Sequence, residues 1–339
     1  MTAEMITKDT SSIGPQWPPA ESSFNRIKGI YTKEVIRDSG TFIDIIEEVN
    51  ELVAQHVTSN NSAIDRLSIR VIAENNVWRE NLSTLTNIGE VIMPLDGASE
   101  VFSNTSILYL GANSSERQPD RNDFQKAVNN IEYAIRKEPV SFVEAINRVH
   151  NQGFDLSILT LLNRTTDNDI VNQMANLYKR FGWERSDVVD ILSKPHNIIA
   201  VAKKDNRIVS AGIAEISSIQ LQDNSCIRMA EITEAATDER YQKKGLYSSI
   251  VAKLMMELAT NQSQTDLVFG ECNGNELGVL NTAKSLGRTF SYEMVTREQL
   301  PFKGFLPQHV PIAGQPRNTP YNDLFPAHIT KDRLALLLC

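Results

Sequence analysis

Residues 242–247 read Gln-Lys-Lys-Gly-Leu-Tyr, two cations and a glycine at the point where an apolar stripe begins. Leu246, Ile250, Val251, Leu254 and Leu258 follow at helical spacing, so Gly245 stands near a helix N-terminus. A helix start carries unpaired N–H groups and a partial positive charge. A residue without a side chain lets a phosphate approach them, which makes the stretch a candidate anion seat. Lys243 and Lys244 either add charge to that seat or are ordinary solvated cations. Just upstream, Ala230-Glu231-Ile232-Thr233-Glu234-Ala235-Ala236-Thr237 has the composition of a strand with two carboxylates in it. Regular alternation puts Glu231 and Thr233 on one face and Glu234 on the other.

The surrounding pattern supplies elements to position these residues. Strand-like and helix-like segments alternate from Arg26 to about residue 115 and again from Phe154 to about residue 300, which predicts an α/β fold in two lobes. Each lobe is expected to be a mixed sheet flanked by helices. The division expected is a flexible arm over 1–25, a first lobe over 26–115, a helical connector over 116–150, a second lobe over 151–300 and a C-terminal extension over 301–339. Asn197 to Leu221 reads as a hairpin turning at Lys204-Asp205-Asn206, residue types that tolerate the left-handed backbone of a tight turn.

Composition narrows the class of function. The chain has 339 residues, 41% hydrophobic, with a net charge of −8. That charge argues against nucleic acid as the main partner, though a local basic pocket for a small polyanion remains compatible with it. No apolar run is long enough for a membrane span, and the polar, Pro-containing N-terminus does not read as a signal peptide, so the expectation is a cytoplasmic protein without membrane contact. Cys226, Cys272 and Cys339 are odd in number and far apart, and the five histidines are scattered, so no metal is expected.

The order hairpin, strand, Gln-x-x-Gly loop, helix, strand, helix ending in Gly resembles the GNAT superfamily of acyl-CoA N-acyltransferases. The loop is Gln242-Lys243-Lys244-Gly245-Leu246-Tyr247, with Tyr247 where the superfamily has a second small residue. The two-part layout is similar to the β-lysine N-acetyltransferases, in which a degenerate GNAT-like half precedes the active one; Lys243 stands where that family's loop has its first Gly.

The resemblance implies acetyl-CoA or another acyl-CoA as co-substrate, bound by the second lobe. Its pyrophosphate would lie on residues Gln242, Lys243, Lys244, Gly245, Leu246 and Tyr247, and its pantetheine along the edge formed by Ala235, Ala236 and Thr237, where neighbouring strands part. It implies Glu231 as general base, with Glu234 second, and a general acid on the last helix. Counting back from Gly287 places Ala283 there, leaving Tyr247, Tyr292 or water to act, with Asn281 close by to bond cofactor or water. The implied reaction is acyl transfer to the amine of a small molecule or amino acid. Alternatives are a non-catalytic binding protein and an acyltransferase fed by a carrier protein; a homodimer is compatible with each.

Overall fold

The computed structural model describes residues 26–30, 34–56, 66–81, 89–96, 98, 102–113, 121–260, 265–291, 308–311 and 321–338. The arm expected over 1–25 and Tyr292 lie outside them. The fold is α/β, with two mixed sheets flanked by helices. The first sheet has the order β1-β2-β4-β3, from β1 (Arg26–Ile30), β2 (Arg66–Glu74), β3 (Gly89–Pro94) and β4 (Thr105–Asn113). Its β1–β2 pair is parallel and the others antiparallel. Helices α1 (Ser39–His56) and α2 (Asn75–Glu80) accompany it.

Then come α3 (Arg121–Ala134) and α4 (Phe142–His150), followed by β5 (Asp155–Ile158), α5 (Leu161–Thr166), α6 (Asn168–Tyr178) and α7 (Arg185–Ser193). The chain continues through β6 (Ile198–Lys204), β7 (Arg207–Gln220), β8 (Cys226–Thr237), α8 (Leu246–Thr260), β9 (Leu267–Asn273) and α9 (Leu277–Ser285). It ends with β10 (Thr289–Phe290), β11 (Gln308–Pro311), β12 (Tyr321–Thr330) and α10 (Lys331–Leu336). The second sheet runs β10-β12-β9-β8-β7-β6-β5, with β11 on β12. Of its described pairs only β8–β9 is parallel, as a crossover through α8 requires.

The turn between β6 and β7 holds Asp205 at φ 50° and Asn206 at φ 63°, the left-handed pair a two-residue hairpin needs. Helix α8 buries the stripe read from the sequence: Leu246, Ile250, Val251, Leu254 and Leu258 are all at most 1% exposed. Each such side chain stabilises the packing by roughly 1.5–3 kcal/mol relative to exposure. One face of the second sheet packs on α8 and α4 through Ala200, Ala214, Ala230, Ile232 and Val268. The other packs on α6 and α7 through Ile199, Val201, Ile213 and Ala236. Near β8 and β9 that second face also meets the first sheet, where Ile72 and Ile107 share a core with Ile227, Met229, Leu267 and Phe269.

Three segments differ from their sequence reading. Helix α4, assigned to the connector, places Phe142, Ala145 and Val149 in the α8 core, and Ser249 Oγ donates to Ala145 O at 2.6 Å. Strand β12 comes from the segment set apart as an extension, yet lies between β9 and β10, paired over Leu324↔Asn273 to Thr330↔Leu267. Its inward residues Ala327 and Ile329 are buried, which is reason enough for the strand to be drawn inside the sheet. Thr289 to Val295 reads in the sequence as a closing strand, and among the described residues that strand is limited to Thr289–Phe290.

Candidate active site

Strand β8 is where the two carboxylates are set. Its pairing with β7 slips between Ala211 and Ile213, and Glu234 sits at φ 49°, so the pleat is interrupted by a bulge. Before the bulge, Ala230 and Ile232 face α8; after it, Ala236 has moved to the α6/α7 face although it differs from them by an even number of positions. The regular alternation on which opposite faces for Glu231 and Glu234 were expected is therefore broken by the extra residue.

Three other carboxylates act electrostatically on Glu234. Glu231 is opposite Glu215 on β7 and Phe269 on β9, and Glu271 lies two residues further along β9, on the face of Phe269. Burial first, and then the negative charges of Glu215, Glu231 and Glu271, push the Glu234 carboxyl up to about 7, against a small opposite effect of the Thr233 hydroxyl, which donates to it at 3.4 Å. A left-handed non-glycine residue costs on the order of 1–3 kcal/mol. The Tyr178 hydroxyl helps hold it by donating to Glu234 O, and the Tyr178 ring is stacked on Trp183 at 5.0 Å.

Beyond the acids the sheet opens. Strands β8 and β9 pair only at Met229↔Leu267, Ala230↔Val268 and Glu231↔Phe269, although β8 continues to Thr237 and β9 to Asn273. The edge of 232–237 that faces β9 is thus without a ladder partner among the described residues, and the parted strands leave a cleft between them. Ala235 faces Gly212 and the α8 side, whereas Ala236 is in the opposite core. Thr237 is buried, its hydroxyl 2.8 Å from Ser210 Oγ.

At the open end of this cleft the chain turns into α8. Gln242, Lys243, Lys244 and Gly245 are exposed, and both Lys243 (φ 61°) and Gly245 (φ 83°) are left-handed. A Cβ on Gly245 would meet only Val149 Cγ1 at 3.8 Å, so the space in front of the helix start is open. The first helical bond is Ser249 N–H to Gly245 O, leaving the N–H groups of Leu246, Tyr247 and Ser248 as helix-start donors. The Leu246 side chain is core, so only its backbone faces the seat. Lys244 turns back over the rings of Tyr241 (5.2 Å) and Phe154 (5.9 Å), leaving Lys243 as the cation of the pair without such a contact.

The inner wall of the cleft is made by α8 and α9, joined by Ser248 Oγ and Thr282 Oγ1 at 2.7 Å. Tyr247 is half-buried, with its hydroxyl end desolvated beside Cys272 and Arg288; burial, followed by the Cys272 thiol, pushes it up to about 12, and Arg288, which hydrogen-bonds to it, acts in the opposite sense. Such a phenol is protonated at neutral pH and is a donor. Ala283 is fully buried core, as its side chain requires. Asn281 Oδ1, on α9, is buried with no hydrogen-bond partner among the described residues. Cys272 is buried, and burial raises its thiol, so it is packing material rather than a nucleophile.

The sequence reading missed Glu215, Glu271, Tyr178 and Arg288. The two acids are distant in sequence from Glu234 and join it only through strand pairing; Tyr178 and Arg288 had no signal beyond residue type. Among the described residues no group of three or more His, Cys, Asp or Glu side chains is placed to hold a metal ion, and no helix is long and apolar enough to cross a membrane.

No protein-family model matches the chain, and neither does any curated protein. Solved structures do. The ribosomal-protein-S18-alanine N-acetyltransferase from Escherichia coli is 12% identical with a TM-score of 0.37, over 52% of this chain and 94% of that one. An N-acetyltransferase from Staphylococcus aureus Mu50 is 12% identical with a TM-score of 0.35, over 52% and 97%. An aminoglycoside acetyltransferase from an uncultured soil metagenomic sample, in complex with trehalose, is 14% identical with a TM-score of 0.33, over 40% and 89%. All three are acetyltransferases.

Proposed function

We propose that the chain is a GNAT-type N-acyltransferase whose second sheet carries an acyl-CoA site between β8 and β9, and that it transfers the acyl group to the amine of a small molecule or amino acid. The observation that carries this reading is the parting of β8 from β9 beyond Glu231 and Phe269, beside a left-handed Gly245 at the start of α8. The free edge of 232–237 offers alternating N–H and C=O groups to the amides of pantetheine as an added strand would take them. The helix-start N–H groups and Lys243 receive the pyrophosphate. Asn281 Oδ1 accepts from a pantetheine N–H, which removes its orphan state.

Glu234 takes the proton from the acceptor ammonium, directly or through one water. Its carboxyl, raised to about 7, is matched to that task, and Glu231, Glu215 and Glu271 maintain the shift while attracting a cationic acceptor. The neutral amine attacks the thioester carbonyl carbon. The C–N bond forms, the C–S bond breaks, the departing thiolate takes a proton from the Tyr247 hydroxyl or from water, and the second proton lost by the amine nitrogen restores that donor. Steady-state release of free thiol from acetyl-CoA with a panel of mono- and diamines and amino acids tests the reading. Amine-dependent thiol release supports it; absence of both turnover and CoA binding refutes it.

A further inference from the structure

Arg288 follows Gly287 at the end of α9, and its side chain runs inward, 2% exposed. It is one of two fully buried arginines among the described residues, and the contrast between them is instructive. Arg164 gives its guanidinium to the carbonyls of Asn197 (2.6 Å), Lys194 (2.8 Å) and Pro195 (3.3 Å), fastening the turn before β6. Arg288 has no such set. Its Nε and Nη2 are both buried without a hydrogen-bond partner among the described residues, and its neighbours at the guanidinium are the Tyr247 hydroxyl and the Cys272 thiol.

Its position is the apex of the cleft. A Cβ built on Gly270 would stand 2.7 Å from Ile232 O and 3.0 Å from Arg288 Nη1, so the guanidinium lies against the strands one residue past their last paired position, Glu231↔Phe269. Gly270 lies between Val268 and Cys272 on the face covered by α8 and α9, opposite the face of Glu215, Glu231 and Glu271. A buried guanidinium with free donors is costly unless an anion meets it, and the planar fork matches a carboxylate in particular.

We propose that Arg288 is the recognition site for a carboxylate at the far end of the acyl group, and that the preferred donor is a dicarboxylic acyl-CoA of the malonyl or succinyl kind. This rests on the reading of the β8/β9 cleft as the acyl-CoA site. A donor lying along 232–237 from the α8 end brings its acyl group to the apex, where Arg288 is the cation within reach. A carboxylate on the acceptor is disfavoured there, because the other face presents Glu215, Glu231 and Glu271. The distal carboxylate is not consumed: the amine nitrogen still bonds to the thioester carbon, the C–S bond breaks, and the thiolate is protonated as for an acetyl group.

The test compares kcat/KM for acetyl-, butyryl-, malonyl- and succinyl-CoA with one amine, in the wild-type chain and in Arg288→Met, with CoA affinity measured by calorimetry in parallel. Amines with and without a carboxylate form a second arm. The expectation is a preference of about tenfold or more for a carboxylated donor over acetyl- and butyryl-CoA, and a loss of about 10²-fold on those donors alone in the variant, as for a charged hydrogen-bonding group removed from its partner. The wild-type donor panel decides the matter even if the variant does not fold. CoA binding with no preference for a carboxylated donor overturns the inference and leaves the acyl-CoA reading standing. So does a variant equally impaired on every donor, or one impaired only with carboxylated acceptors. No CoA binding overturns both.

Discussion

Glu234 sits at φ 49° in the bulge that breaks the pleat of its strand beyond Glu231, and burial first, then the charges of Glu215 and Glu231, lift its carboxyl to about 7. Two acids of one strand are thereby given unequal parts. Under the proposed function Glu234 exchanges a proton near neutral pH, and Glu215 and Glu231 add to the effect of burial in raising its carboxyl.

The first prediction separates those parts. Glu234→Gln is expected to lower turnover by about 10²–10⁴-fold while leaving acetyl-CoA affinity nearly intact. In the wild type kcat/KM should rise with pH through about 7 as the carboxyl deprotonates, and that limb should vanish in the variant. Glu231→Gln should retain the limb, moved to lower pH because one repelling charge is gone. Thiol-release rates across pH 5–9 check all three; a vanished limb in Glu231→Gln alone would reverse the assignment.

The same carboxyl predicts a dependence of stability on pH. Its folded value, about 7, is above the ordinary 4.5, so the folded chain holds the proton more tightly than the unfolded chain. The contribution is fully present below about 4.5 and is lost as pH rises to about 7, which makes this group's slope negative in that window. The total is on the order of 3 kcal/mol. Urea midpoints of the wild type and Glu234→Gln, compared from pH 4.5 to 7.5, should diverge in the variant's favour as pH rises; parallel curves would show that the group is not desolvated.

Under the proposed function Tyr178 positions Glu234. Its hydroxyl donates to Glu234 O, and removing it leaves a strained residue with a weaker tether. Tyr178→Phe should cost roughly 0.5–1.5 kcal/mol in stability, and should lower kcat more than KM while shifting the acidic limb of the rate profile. A stability loss with an unchanged pH profile would reduce Tyr178 to packing.

Elements whose signals are local were legible in the sequence. The β6–β7 turn was readable because Asp205 and Asn206 are residue types that adopt left-handed backbone, and α8 because its apolar spacing is regular. The two faces of β8 were not, since alternation holds only for an unbroken pleat and nothing in Met-Ala-Glu-Ile-Thr-Glu-Ala-Ala marks a bulge. Strand β12 was hidden for another reason: it enters the sheet after β10 in sequence but beside β9 in space, a long-range pairing that no local pattern encodes. Arg288 shows the same limit for a side chain, being an ordinary arginine after a glycine until the fold buries it next to Tyr247.

The central claim is that acyl-CoA sits between β8 and β9 with its pyrophosphate at the start of α8, and its most direct test is calorimetric titration of acetyl-CoA into the wild type and Gly245→Glu. The substitution places a carboxylate where the phosphates belong and forces a side chain into φ 83°, at a position exposed enough for the fold to persist. Binding by the wild type and none by the variant, with an unchanged circular-dichroism spectrum, is the predicted result. Equal affinity in both would contradict it and put the cofactor elsewhere.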